Sequence, residues 1–365
     1  MDDIGNHLRT TTRRYRVISA DEKTALEYAS NGFSYSREYY ELLRRRLAPG
    51  GMAIQWVPAN LPPSQYRMVL KTFSESFPHV LMALFMPALE ESGYNTILMG
   101  SDARLSLDIQ QVRETMSAEP VAFSRLAHYG LTTPEAILAQ FVADGDTLRR
   151  AVRGAPQNTL AHPRYEFFSP RDYAQPRKGR VAENIELVAR LRGSAWGGLA
   201  ARMAPPDEDT RRRLGRAAAA ELAYLAGYRK SLGSGTVSAT DIFRHYDTAL
   251  TLAPWNDSLR ARISLHYVEI ATSQRHPRAR LALLRRALSA YEKNASAHVD
   301  YARTLASLKQ PRAALEAARR AVELDPELPA ARRTVAELLL AAGETDAAAP
   351  HLDALTELIG VSAAP

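Results

Sequence analysis

The sequence predicts two fold classes in succession, α/β and then all-α. Three observations carry this. Residues 1–102 alternate short apolar runs with helical stretches in the order strand, helix, strand, helix, strand, strand, which describes half of a doubly wound sheet. Residues 103–210 are a mixed connector of helix and loop, rich in proline and arginine. From 211 to 365 helix follows helix, with matching residues 34 positions apart.

The elements follow in order. Val17-Ile18-Ser19-Ala20 is a short strand ending at Asp21. After a polar stretch to Gly32, Ser36 caps a helix whose Tyr39, Leu42, Leu43 and Leu47 share one face. Pro49-Gly50-Gly51 stops it. Met52 to Val57 is apolar except for Gln55, which predicts a strand buried on both faces. Leu61-Pro62-Pro63 opens a second helix, and "FPHVLMALFM" and "YNTILMG" read as two further strands.

In the connector, Thr133-Pro134 starts a helix, with proline where its missing N–H does no harm. "GAPQNTLAHPRYEFFSPRDYAQPRKGR" reads as loop, and "GSAWGGLAARMAPPDED" as a linker before the helical end.

The repeat is legible in pairs. Pro277 and Pro311, Tyr267 and Tyr301, and Ala287 and Ala321 match at an offset of 34, as do Leu305 with Leu339 and Ala314 with Ala348. That period, with small residues where paired helices touch, is the tetratricopeptide (TPR) signature. The best copy spans about Ser296 to Pro326, the copy before it departs at Arg280, and a degenerate unit ending in "YDTALTLAPWN" precedes them. Such an array implies a protein or peptide partner.

Composition narrows the function. The absence of cysteine excludes disulfides, thiolate catalysis and cysteine-bound metal, and fits a cytoplasmic setting. The nine histidines fall at no metal-ligand spacing, so no metal site is expected. A net charge of +7 invites a nucleic-acid reading, but residues 1–100 hold 11 Lys/Arg against 10 Asp/Glu, and Arg44–Arg46 and Arg211–Arg213 read as solvated helix faces. No nucleic-acid partner is expected. The longest apolar run, Val80 to Leu89, is broken by Pro87 and too short to span a bilayer, and the start has no apolar core.

Residues 2–101 also carry, in order, "DDIGNHL", "RRYRVISAD", "YSREYYELLRRRLAPGG", "QWVP", "FPHV" and "YNTILMG". In these the chain resembles the carboxyl half of spermidine synthase-like proteins, the polyamine aminopropyltransferase family, which have a Rossmann-like class I methyltransferase fold. The resemblance implies a transferase using decarboxylated S-adenosylmethionine as donor and a polyamine as acceptor. It implies that Asp21 is the general base, that Asp3 bonds the donor's adenine, and that Gln55 lies by the polyamine pocket. Thr24 stands where the family has a second acid that holds the distal amine. Ile4 follows Asp3 where glycine is usual. The family's glycine-rich donor loop belongs to the half of the domain not matched here, and "GSGTVS" at 233–238 follows no predicted strand. The expectations are therefore an inactive transferase-type half joined to an interaction array, or a non-catalytic interaction module built on the array. A third expectation is an exposed, apolar sheet edge that templates association.

Overall fold

The computed structural model describes residues 4–20, 31–85, 94–167, 174–233 and 238–362. The protein has a small mixed five-stranded sheet in its amino-terminal part and a long all-helical array after it. It divides into two compact units, residues 1–256 and 257–365.

The first unit begins with α1 (Ile4–Thr10), β1 (Tyr15–Ala20), α2 (Asn31–Ser34) and α3 (Arg37–Arg46). Ser36 caps α3 by accepting from the Tyr39 N–H at 3.2 Å, and Tyr39, Tyr40, Leu42 and Leu43 are buried. The chain passes from α3 straight into β2 (Leu47–Pro58), where Gly50 takes a φ of 71° that a side chain would resist. Next come α4 (Pro63–Ser76), β3 (His79–Phe85) and β4 (Asn95–Ser101). Tyr66, Val69, Leu70 and Phe73 of α4 recur at helical spacing and are wholly buried. Each contributes about 1.5–3 kcal/mol of apolar burial.

In space the strands run β1-β2-β4-β3-β5. β1 and β2 are parallel, with Ala20 opposite Gln55, while β4 enters antiparallel between β2 and β3. Among the described strands β4 is central and only the β1–β2 pairing is parallel, so the sheet is mixed.

One face of the sheet is the core. Ala53, Gln55, Val57, Thr96, Leu98 and Gly100 are buried there. The Tyr66 hydroxyl bonds the Thr96 hydroxyl, and a Cβ on Gly100 would lie 2.5 Å from the Phe77 ring. On the other face Met52, Ile54, Trp56, Ile97 and Met99 are only half-buried, and Val17 is 54% exposed. The expectation that Met52–Val57 is buried on both faces is thus corrected. Helices α3 and α4 cover one side only, and the alternation of burial along β2 records this.

The stretch read as connector adds to this unit. It supplies α5 (Ile109–Ala118), α6 (Pro120–His128), α7 (Pro134–Leu138), the edge strand β5 (Phe141–Asp144) and α8 (Gly145–Ala151). Thr133 caps α7, accepting from the Ala136 N–H at 3.2 Å. The described part of the loop after α8 is held by Asn158, which is wholly buried and donates to the Gly32 carbonyl at 2.8 Å while accepting from Tyr165 N–H.

"GSAWGGLAARMAPPDED" is not simply a linker. Its first part lies inside the 26-residue helix α9 (Arg177–Arg202). Glycine weakens a helix by about 1 kcal/mol per residue. Here the buried stripe Leu187, Val188, Leu191, Ala195 and Leu199, packed on β5 and the next helix, outweighs Gly193, Gly197 and Gly198. Buried Arg192 extends from α9 to the carbonyls of Ala139 and Gln140. Helices α10 (Glu208–Leu232) and α11 (Ala239–Leu252) complete the unit, with Tyr224 stacked on Tyr246 at 5.9 Å. The helix of the degenerate first repeat, α11, therefore packs on α10 in the sheet-bearing unit.

The second unit is six helices: α12 (Asp257–Thr272), α13 (Pro277–Ala290), α14 (Ala295–Ser307), α15 (Pro311–Leu324), α16 (Pro329–Ala341) and α17 (Thr345–Ser362). Short turns pair them α12 with α13, α14 with α15 and α16 with α17. The first helices of successive pairs touch, α12 on α14 and α14 on α16, and so form an inner row. Ala302, Leu305, Ala314, Ala318, Val335, Leu339 and Ala348 share one core cluster. The alanines recur where helices approach closely.

Candidate functional site

The two units hold separate candidate sites. In the first, ligands of open α/β sheets lie beyond the carboxyl ends of parallel strands. Asp21, Thr24 and Asp3 fall outside the described residues. Gln55 lies level with the last residue of β1, wholly buried. Its Nε2 donates to the Ala20 carbonyl at 3.3 Å and to the Trp56 carbonyl at 3.1 Å. Its Oε1 is buried and has no hydrogen-bond partner among the described residues. An unmet buried acceptor costs about 1–3 kcal/mol, so this oxygen is suited to receive a donor from a bound molecule.

Past the carboxyl end of β2 lie three tyrosines. The Tyr94 ring meets Tyr228 edge-on at 4.3 Å, and its hydroxyl is 3.4 Å from that of Tyr224. Burial, and then the neighbouring tyrosines, push the Tyr94 phenol well above its ordinary pKa, so it stays neutral. Tyr94 is adjacent to the carboxyl end of β2, since its carbonyl accepts from the Ala59 N–H at 2.9 Å.

In the second unit a cleft of about 220 Å³ opens between α12, α13 and α14. Thr272, Arg280, Asp300, Arg303 and Thr304 give it polar walls, and Ala271 and Leu284 give it apolar ones. Its origin is legible in the repeat register. Arg280 holds the position that Ala314 and Ala348 hold one and two periods on, and both alanines are wholly buried. A guanidinium cannot fit a contact built for a methyl group. It turns outward and donates to the carbonyls of Ala271 at 3.3 Å and Gln274 at 2.8 Å, at the end of α12.

Asp300 is half-buried in this cleft. Burial raises its carboxyl pKa, and the nearby Arg303 and Arg280 pull it back. Its carboxylate forms no ion pair or hydrogen bond among the described residues. Arg303 is exposed and reaches from α14 to α16, donating from Nε to the Thr334 hydroxyl at 3.2 Å. The departure of Arg280 from the repeat was the sequence signal for this cleft. Nothing in the period singles out Asp300 or Arg303, because the inner row is defined only by packing.

No family model and no curated protein matches the chain. Among solved structures, it is similar to MamA from Desulfovibrio magneticus RS-1 (residues 41 to the end) at 17% identity, covering 53% of this chain and 92% of that one with a TM-score of 0.33. It is similar to MamA AMB-1 at 18% identity, over 52% of this chain and 85% of that one, with a TM-score of 0.32. MamA MSR-1 matches at 19% identity over 51% and 90% of the respective chains, with a TM-score of 0.31. These scores are too low to assign a common fold.

Proposed function

We propose that residues 257–365 are a TPR-type module that binds a protein or peptide partner. The observation that carries this reading is the cleft at Arg280. An array that only packed on itself would hold alanine at that position, as it does at Ala314 and Ala348. Arginine there opens a polar recess beside the inner row, with a free carboxylate on Asp300 and an exposed guanidinium on Arg303. The recess suits a partner segment that offers a donor to Asp300 and an acceptor to Arg303.

The test uses the full chain as bait in its native lysate, beside Asp300→Ala and Arg303→Glu. The reading expects a defined protein to be retained by the parent chain and lost from both variants, with unchanged circular dichroism. An identical retained set for all three chains removes the cleft from the function.

A second reading is favoured by Gln55. In it the sheet region is the carboxyl half of a spermidine synthase-like transferase domain. Asp21 would take a proton from the attacking amine, and a carboxylate there also favours a cationic substrate. Asp3 would hold decarboxylated S-adenosylmethionine, and Thr24 would leave the distal amine of a polyamine unheld. What supports this is the strand–helix alternation, the parallel β1–β2 pair and the unmet acceptor of Gln55 at the end of β1. Calorimetry of the chain with putrescine, beside Gln55→Leu, tests it: saturable binding that the variant loses supports it, and no binding, or equal binding by both chains, removes Gln55 from it.

A further inference from the structure

The surface of α16 and α17 differs from its counterpart one period earlier. Ala306, Leu315 and Ala318 belong to the core cluster with Val335 and Leu339, so α16 covers them. The corresponding residues 34 positions on are Leu340, Ala349 and Leu352. Here they are open: Leu340 is 46% exposed, Leu352 is 40% exposed, and Ala349 is exposed as well. Ile359, 48% exposed, extends the stripe along α17, since positions 349, 352, 356 and 359 share one helical face.

A repeat face that meets only water is polar. This surface does the reverse. At two positions it replaces the alanine of the preceding period with leucine, offering more apolar area. Along α17 and the second half of α16 the charge is one-sided, Arg332 and Arg333 lying in the first turns of α16. Residues 334–365 contain Glu337, Glu344, Asp346, Asp353 and Glu357 and no lysine or arginine, in a chain of net charge +7. All five carboxylates are exposed. Asp346, Asp353 and Glu357 line α17 about a quarter turn from the apolar stripe.

We infer that the α16–α17 surface docks a basic amphipathic helix of a partner protein. The helix would lie where α16 lies on the preceding pair, with its apolar stripe on Leu340, Leu352 and Ile359 and its lysines or arginines against Asp353 and Glu357. This inference rests on the repeat reading proposed above, but not on the cleft at Arg280. A second copy of this chain docking through the same face is disfavoured, because α17 against α17 sets Asp353 and Glu357 near like charges.

The test is fluorescence anisotropy of the full chain with a labelled synthetic helix of about 18 residues, leucine and alanine on one face and lysine and arginine on its flanks. A counterpart with glutamate on the flanks is the control. The basic peptide should bind saturably and more weakly as salt rises from about 0.05 to 0.3 M, and the acidic one should not. Leu352→Gln and the pair Asp353→Lys with Glu357→Lys should each weaken binding about tenfold or more, equivalent to about 1.4 kcal/mol. Val121→Gln, at an exposed apolar residue of the other unit, should leave it unchanged. All these positions are exposed, so folding is preserved and is checked by melting. Equal binding of both peptides, or binding indifferent to Leu352→Gln, overturns the inference. So does a dimer in sedimentation that Leu352→Gln dissolves, which would make a second copy the occupant.

Discussion

Replacing Ala314 with arginine tests the account of the array most directly, because the chain performs a related experiment on itself at Arg280. At Arg280 the guanidinium reaches the carbonyls of Ala271 and Gln274. The equivalents for residue 314 are the carbonyls of Leu305 and Leu308. The Leu305 carbonyl already accepts from the Leu308 N–H at 3.1 Å and the Gln310 N–H at 3.0 Å, which uses both its lone pairs. Ala314 is wholly buried among Ala302, Leu305, Ala318, Val335 and Leu339. Overpacking such a site costs about 1–3 kcal/mol. A charge left without full solvation or pairing adds more, so about 3 kcal/mol is a lower estimate. At about 2.1 cal/mol/K per residue of unfolding entropy, the unit 257–365 loses about 13 °C in Tm. Differential scanning calorimetry of the full chain, with hydrogen exchange to localise the loss to α14 and α15, measures it. Arg280→Ala is the companion, with a loss of about 1–2 kcal/mol from its charge-assisted bonds. An Ala314→Arg chain melting within about 3 °C of the parent would refute the close-contact role of this position.

Three further outcomes are expected. His266 is buried, and burial followed by Arg262 lowers its pKa to about 3. Its folded pKa lies below its unfolded one, so its contribution is complete above about pH 6.5 and is lost as pH falls towards 3, at up to about 1.4 kcal/mol per pH unit. Asp300, whose pKa is raised, acts in the opposite sense, and denaturant titrations of the parent and His266→Gln between pH 7 and 4 should show a shallower slope in the variant. Gly100→Ala places a methyl 2.5 Å from the Phe77 ring and 3.0 Å from Phe73, and should destabilise the sheet-bearing unit by about 1–3 kcal/mol, read from urea midpoints. The chain should neither bind decarboxylated S-adenosylmethionine at micromolar concentration nor transfer its aminopropyl group to putrescine, since positioning contributes up to about 7–11 kcal/mol and the family's donor loop is not in this sequence. Micromolar donor binding, with turnover lost in Asp21→Asn, would contradict that.

The sequence by itself determined what depends on neighbours along the chain. Ser36 and Thr133 mark helix starts, because a capping hydroxyl serves N–H groups two or three residues away. The 34-residue period set the pairing of α12 to α17 and exposed the departure at Arg280, because each repeat packs only on the next. Only the tertiary structure decided the rest. β4 enters the sheet between β2 and β3, and Phe141–Asp144 becomes its edge, through bonds between strands far apart in sequence. Gly193, Gly197 and Gly198 remain in helix α9 because its buried stripe has β5 to pack on. Met52, Ile54 and Trp56 are half-exposed while Ala53, Gln55 and Val57 are buried, although the run reads as uniformly apolar but for Gln55. Alternation in the sequence can show that a strand has two faces, but which face is covered depends on where distant helices come to rest.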